Sequence, residues 1–374
     1  MIPVIRPWLG EEEANAAAEV VRSGWVAQGP RVAEFEKAFA GRVGSDDAVA
    51  VSSCTTGLHL ALHVLGVSPG DEVVVPSYSF IATANAVRYC GATPVFADVD
   101  PLTGNVTAAT VEAALTARTV AVIGVDQGGV PLDLDPLAEL CERRGLALVE
   151  DAACAAGSTY RGASVGAKAA LAAWSFHPRK LLTTGEGGMV TVAGAERAAR
   201  LRRLREHGMN VSAADRHQSG KVVVEGYDEV GFNYRMTDMQ AAIGLVQLAK
   251  LDQVITRRRE LAARYHSELA GIEGLRWVRD PDYGTTNYQS FWVVLPDDFQ
   301  GTNLDVLADL AGSGVSARRG IMASHLEPPY ADSKAELPVT EHLTRRSVIL
   351  PLFHQMTDEE HDTVVDALAK ALKR

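Results

Sequence analysis

Trp174-Ser175-Phe176-His177-Pro178-Arg179-Lys180-Leu181-Leu182-Thr183-Thr184-Gly185-Glu186-Gly187-Gly188 is the stretch on which the reading of the fold turns. An apolar run leads through a proline turn to a lysine. The chain then passes Gly185, Gly187 and Gly188 and enters a second apolar run, Met189-Val190-Thr191-Val192. Glycines in such a loop let backbone come close to a ligand. A lone lysine is ordinarily a solvated surface charge. A lysine between a strand end and a glycine loop, partly desolvated, can lose its proton and form a Schiff base. The glycines do not make a dinucleotide fingerprint, because the run is Gly-x-Gly-Gly and leads into a strand rather than a helix.

Upstream, short apolar runs alternate with helical patterns. Ala48-Val49-Ala50-Val51, Glu72-Val73-Val74-Val75-Pro76, Thr93-Pro94-Val95-Phe96-Ala97, residues 119–125 and Leu146-Ala147-Leu148-Val149 read as strands. Between them, Leu58, Ala61, Leu62 and Leu65 recur at helical spacing, and residues 82–86 and 137–144 read as helices. Continuous apolar strands between helices indicate a mostly parallel sheet covered on both faces, an α/β fold. After Asp238 the texture changes to one long amphipathic helical stretch, residues 239–269. Beyond it lie a strand at Phe291-Trp292-Val293-Val294-Leu295, a helix at residues 304–311 and a last helix from Asp358. The expected organisation is a large domain over residues 1–248 and a smaller α+β domain over residues 249–374.

In open parallel sheets, ligands bind beyond the carboxyl ends of the strands. Three such ends carry polar residues. Ser52-Ser53-Cys54-Thr55-Thr56-Gly57 joins a strand to a helix. It serves either as an ordinary N-cap or as an anion site built from free amides and the helix dipole. Glu150-Asp151 closes the strand before it. Either it caps the next turn, or it supplies a carboxylate that favours the protonated form of a cofactor's pyridine ring. The third end is the Lys180 segment. Anion loop, strand-end aspartate and lysine, in that order, are the parts of a pyridoxal-phosphate enzyme.

Composition narrows the alternatives. The 374 residues include 36 Lys+Arg against 47 Asp+Glu, a formal charge of −11. A field of that sign repels phosphate backbones and anionic membranes, so nucleic acid is not an expected partner. No apolar stretch approaches the roughly 18 residues that span a bilayer. Cys54, Cys90, Cys141 and Cys154 form no Cys-x-x-Cys pair, so neither a metal knuckle nor a disulfide scaffold is expected. The start, Met1-Ile2-Pro3-Val4-Ile5-Arg6-Pro7, lacks the pattern of a secretory signal. A cytoplasmic enzyme is the expectation.

With these residues in view, the sequence resembles the DegT/DnrJ/StrS family of sugar aminotransferases, of the aspartate-aminotransferase fold (fold type I). The likeness covers nearly the whole chain. It is carried by Ser23-Gly24-Trp25, Gln28-Gly29-Pro30, residues 52–62, Pro76-Ser77-Tyr78-Ser79-Phe80 and Gly91-Ala92-Thr93-Pro94-Val95. It continues through Glu150-Asp151-Ala152-Ala153, residues 175–188 and Gly231-Phe232-Asn233-Tyr234-Arg235-Met236-Thr237-Asp238.

The resemblance implies a role for each matching residue. Lys180 would hold pyridoxal phosphate and move protons, and Asp151 would pair with the pyridine nitrogen. Phe80 would stack on the ring. Thr55, Thr56 and Ser175 would hold the phosphate, and Asn233 would reach it from the second subunit of a homodimer. Arg235 and His325, the latter in a His-Leu-x-Pro-like segment, would approach the substrate. One position departs from the pattern: Cys154 stands where relatives carry a glutamine that contacts the cofactor's ring hydroxyl, and a thiol is a weak donor. L-glutamate would be the amino donor, leaving pyridoxamine phosphate, and a nucleotide-linked ketosugar, often a dTDP-4-keto-6-deoxyhexose, the acceptor. Arg179, Arg216, Lys221, Arg318 and Arg319 are further candidates for its diphosphate. Cyclitol or other ketone acceptors, and a dehydratase or oxidase on the same cofactor, are the alternatives.

Overall fold

A computed structural model describes residues 1–211, 222 and 224–373. The apolar runs of the first half become β1 (Asp47–Val51), β2 (Glu72–Pro76), β3 (Thr93–Ala97), β4 (Thr119–Val125), β5 (Ala147–Asp151), the short β6 (Thr159–Tyr160) and β7 (Ala163–Ser164), β8 (Leu171–Ser175) and β9 (Gly188–Val192). The helices are α1 (Glu11–Ser23), α2 (Pro30–Val43), α3 (Cys54–Val64), α4 (Ala82–Tyr89), α5 (Ala108–Ala114), α6 (Leu134–Arg144) and α7 (Ala195–Leu204).

Seven strands make one sheet in the order β1-β9-β8-β5-β4-β2-β3. β9 pairs antiparallel with both of its neighbours, and the remaining pairings are parallel. Alternate residues face opposite sides of the sheet. Val49, Val51, Val73, Val75, Ile123 and Val149 pack with Leu58, Leu62, Val87 and Leu201 of α3, α4 and α7. Ala48, Ala50, Val74, Val122 and Trp174 pack on the other side with Phe35 and Phe39 of α2. A side chain of this size, fully buried, contributes roughly 1.5–3 kcal/mol. This two-sided burial is why the strands read as unbroken apolar runs.

The long stretch after Asp238 is a single helix, α8 (Asp238–Leu269), of 32 residues. At 1.5 Å per residue it spans about 48 Å. It begins against α1 and α2, and the boundary expected after residue 248 falls inside it. Beyond it come β10 (Arg276–Trp277), β11 (Gly284–Thr285), β12 (Phe291–Val294), α9 (Asn303–Gly312), β13 (Arg318–Arg319), α10 (Pro338–Arg346), β14 (Ser347–Leu350) and α11 (Asp358–Ala371). A four-stranded antiparallel sheet, β10-β12-β14-β13, is the centre of this part. The extreme N-terminus joins it: Ile2 bridges Val315, and the Leu352 amide donates to the Val4 carbonyl at 3.1 Å.

Asp238 ties the two ends of the large sheet's helical cover together. Its carboxylate accepts the amides of Gly29 (2.8 Å), Val32 (2.9 Å) and Arg31 (3.1 Å), the otherwise free donors that open α2. Thr237 caps α8 itself by accepting the Gln240 amide. No helix of the described residues is long and apolar enough to cross a membrane.

Candidate active site

The polar residues expected to act together lie on one edge of the seven-stranded sheet. β1, β2, β5 and β8 present their carboxyl ends there. β9 runs the other way, so its first residue, Gly188, lies at the same edge, paired with both Val51 and Ser175. A Cβ on Gly188 would sit 2.4 Å from the Ser53 carbonyl carbon and 2.6 Å from the Cys54 nitrogen. Only glycine permits this close approach, which seats the end of β8 beside the start of α3.

At that start, Ser53 is the N-cap and accepts the Thr56 amide at 3.2 Å. The Cys54 and Thr55 amides have no acceptor among the described residues, and neither has the Thr55 hydroxyl. The Thr56 hydroxyl is committed to the cap, donating to the Ser53 carbonyl at 2.8 Å. Ser175 stands across the register row from the same turn. Free amides at a helix N-terminus with hydroxyls beside them suit a phosphate dianion. Thr55 and Ser175 would be placed to offer side chains to such a group, whereas the Thr56 hydroxyl is held in the cap.

Asp151, at the end of β5, is 5% exposed. One carboxylate oxygen accepts the Thr83 hydroxyl at 2.9 Å, and the other accepts the Ala153 amide at 3.2 Å and faces the Cys54 thiol at 3.8 Å. Burial pushes Asp151 above the usual carboxylate range. Thr83, Ala153, Lys180 and Cys54 pull the other way without cancelling it. A cationic ring nitrogen placed there would recover the lost solvation. Ser79 Oγ lies 2.9 Å from Thr83 Oγ1, so a hydroxyl chain backs the carboxylate. The Cys54 thiol is pushed well up by burial and by Asp151, which keeps it neutral.

Lys180 sits on a loop whose base is closed by the Phe176 amide to the Gly187 carbonyl (2.9 Å) and the Thr184 amide to the Phe176 carbonyl (3.0 Å). Phe176 anchors that loop in an aromatic cluster with Phe35 and Phe39, at centroid distances of 5.2 and 5.3 Å. Lys180 Nζ donates to Cys154 Sγ at 3.0 Å. Burial pushes the ammonium down, but Cys154 and Asp151 beside it draw it above the ordinary lysine value. Cys154, expected to weaken a cofactor contact, is thus the partner of the lysine itself. Asn287 fixes its loop, donating to the Cys154 and Ala156 carbonyls at 2.8 and 2.9 Å.

Phe80 is 61% exposed and belongs to no core cluster, which leaves its ring free to cover a planar ligand. Asn233 is exposed and Arg235 half-buried. They flank Tyr234, whose carbonyl accepts the Ser52 amide at 2.8 Å. Neither makes a side-chain hydrogen bond to the cradle of its own chain among the described residues. Arg216 and Lys221 lie outside the described residues. His325 requires a correction. It is 3% exposed, with Nδ1 2.6 Å from Ser77 Oγ and Nε2 3.7 Å from Glu341. It is packed behind β2 rather than open to a substrate, because Phe96 and α10 cover it.

Two functional residues lack any local signal in the sequence. Thr83 lies in the first turn of α4 and reaches Asp151 across 68 positions, and Asn287 reaches back 133 positions. For Thr83 the usable clue is topological: α4 starts just beyond the carboxyl end of β2, at the same sheet edge.

The set fits pyridoxal phosphate: a phosphate cradle with free amides, a buried carboxylate for the ring nitrogen, an open aromatic ring and a lysine beside them. A sequence profile of the DegT/DnrJ/EryC1/StrS aminotransferase family matches residues 7–369. The aminotransferase TlmJ from Streptoalloteichus hindustanus is 38% identical, with 100% of this chain and 99% of that one covered and a TM-score of 0.92. The sugar aminotransferase CalS13 from Micromonospora echinospora is 29% identical over 99% of this chain and 100% of that one, with a TM-score of 0.89. The PMP form of Spr1654 from Streptococcus pneumoniae is 26% identical, covering 100% and 99%, with a TM-score of 0.93. The fold agrees with these relatives, and the chain belongs to the DegT/DnrJ/EryC1/StrS aminotransferase family, PLP-dependent enzymes that include sugar aminotransferases.

Proposed function

We propose that this enzyme moves the amino group of L-glutamate to the keto carbon of a nucleotide-linked sugar, of the dTDP-4-keto-6-deoxyhexose class. The observation that carries the reading is the convergence of Lys180, Asp151 and the free amides of α3 at one sheet edge. Kinship with sugar aminotransferases supports the acceptor class.

Bound in this site, pyridoxal phosphate supplies an electron sink for the carbon that gives up its proton. The chain supplies the rest. Thr55, Ser175 and the Cys54 and Thr55 amides hold the phosphate end. Asp151, backed by Thr83, holds a positive charge at the ring nitrogen. Lys180 would hold the group through Nζ, and the same Nζ would carry the proton that the donor's α-carbon gives up. Cys154 accepts a hydrogen bond from Lys180 and holds the amine at the site of that transfer. Phe80 covers one ring face and excludes water from it.

A homodimer is part of the proposal. Asn233 and Arg235 are presented outward beside the cradle turn, where they would complete the neighbouring subunit's site. The four unpaired thiols suit a reducing, cytoplasmic compartment. The test loads the purified enzyme as the pyridoxamine form and adds a dTDP-4-keto-6-deoxyhexose. Recovery of the pyridoxal form, with an aminated sugar nucleotide by mass, is expected. Turnover of a cyclitol ketone but of no sugar nucleotide would refute the acceptor. Release of ammonia or loss of water from the sugar without amination would refute transamination.

A further inference from the structure

A small cleft lies between the Lys180 loop, the N-terminal segment and the C-terminal sheet. Arg179, Arg258 and Arg318 line it together with Gln289 and Ser290, and no carboxylate does. This is unusual in a chain with 47 acidic residues against 36 basic ones. Many arginines elsewhere are matched, among them Arg202 with Asp47 and Glu36, Arg259 with Asp280, Arg264 with Glu268 and Asp358, and Arg319 with Glu327. Arg179 and Arg318 have no ion-pair partner among the described residues.

Arg258 forms the floor. It is 3% exposed, and its guanidinium donates to the carbonyls of Tyr288 (2.8 Å), Leu352 (2.6 Å) and Gln289 (2.8 Å), so its charge is held in place without being neutralised. Burial pushes it down to about 9, which leaves it cationic at neutral pH. Above it, Arg318 is pushed down by burial and then by Arg179 and Arg319. His177 is pushed down by burial, with Arg179, Lys180 and Arg318 adding to the effect and Glu186 opposing it. Like charges gathered without a counter-ion repel one another, and an anion relieves that repulsion. Arg179 is the chain neighbour of Lys180, and Gln289 holds the Arg179 carbonyl from across the cleft.

We propose that Arg179 and Arg318, above Arg258, bind a carboxylate of the amino donor and select a dicarboxylic amino acid. The proposal rests on the amino-transfer reading above. Guanidiniums bind carboxylates in paired, charge-assisted hydrogen bonds. Arg179 immediately precedes Lys180, so the cleft adjoins the loop that carries the lysine. A sugar nucleotide's diphosphate is the other anion of the reaction with this chemistry.

The test uses holoenzyme with Arg179→Met, Arg318→Met and the double change, which keep the apolar stems. Glutarate, a dicarboxylate without an amine, is titrated by calorimetry, and L-glutamate is titrated in the first half-reaction. Loss of one charged hydrogen-bond donor weakens binding by roughly tenfold or more. The expected result is weaker glutarate binding and a raised KM for L-glutamate in both single variants. The spectrum of bound cofactor stays unchanged, and this checks the fold. Unaltered glutarate and glutamate binding would overturn the proposal. If thymidine diphosphate binding alone were lost, the pair would belong to the acceptor and the proposal would also fall. Wild-type enzyme that binds glutarate yet does not react with L-glutamate would instead refute the proposed donor and leave the anion site standing.

Discussion

Thr83→Val isolates the hydroxyl that backs Asp151. Thr83 Oγ1 donates to Asp151 Oδ2 at 2.9 Å, and both side chains are buried, so no water can replace it cheaply. Valine keeps the shape and removes the donor. A hydrogen bond to a charged group is worth about 1.5–3 kcal/mol net. At about 1.4 kcal/mol per decade, that is a ten- to hundredfold change in the preference for ionised Asp151. Burial already pushes Asp151 up, and losing Thr83 pushes it further in the same direction. The carboxylate is the useful form, so the acid limb of the rate profile moves to higher pH. At neutral pH, kcat/KM with L-glutamate should fall about tenfold or more, and the deficit should shrink as pH rises. Thr83→Ser retains the hydroxyl and should behave like the wild type. The assay is the cofactor's absorbance change in a single half-reaction, followed across pH. A valine variant with the wild-type profile would refute the reasoning, because Asp151 would then not depend on Thr83.

Other perturbations test other joints. Asp238→Ala strands three donors at the start of α2. The loss of a cap plus buried unsatisfied amides should cost about 3 kcal/mol in denaturant unfolding. Gly188→Ala drives a Cβ into Ser53 and Cys54 backbone. It should displace the phosphate cradle and weaken cofactor retention by roughly tenfold, measured by dialysis against cofactor-free buffer. Glu150 is pushed up by burial to about 7 from 4.5, so the folded chain favours its protonated form. Its contribution is present below pH 4.5 and is lost as pH rises towards 7, a decline of about 3 kcal/mol that Glu150→Gln should flatten in melting curves.

The sheet and most of the site were readable in the residues because each strand is buried on both faces. Val73, Val74 and Val75 alternate between two cores and so leave an unbroken apolar run. Ser53, Asp151 and Lys180 announced themselves because strand ends concentrate polar residues at one edge. What stayed hidden depends on packing between distant segments. Thr83 looks like any threonine in the first turn of a helix until α4 packs over β2 and β3 and its hydroxyl reaches Asp151. His325 carries an imidazole that reads as a ligand, yet Phe96 and Glu341 enclose it and Ser77 takes its Nδ1. Cys154 read as a defect in a cofactor contact. The loop that Asn287 holds instead turns its sulfur to Lys180. Asp238, which ends a family-like segment, is the cap of α2.

The central claim is that Lys180 carries the cofactor and that L-glutamate discharges it. The most direct measurement is the absorption spectrum of the purified enzyme before and after L-glutamate, paired with borohydride reduction and peptide mapping. The account predicts a lysine-bound pyridoxal band that converts to the pyridoxamine band with glutamate, and a reduced adduct on Lys180. An adduct elsewhere, or a band that persists through saturating glutamate, would contradict it.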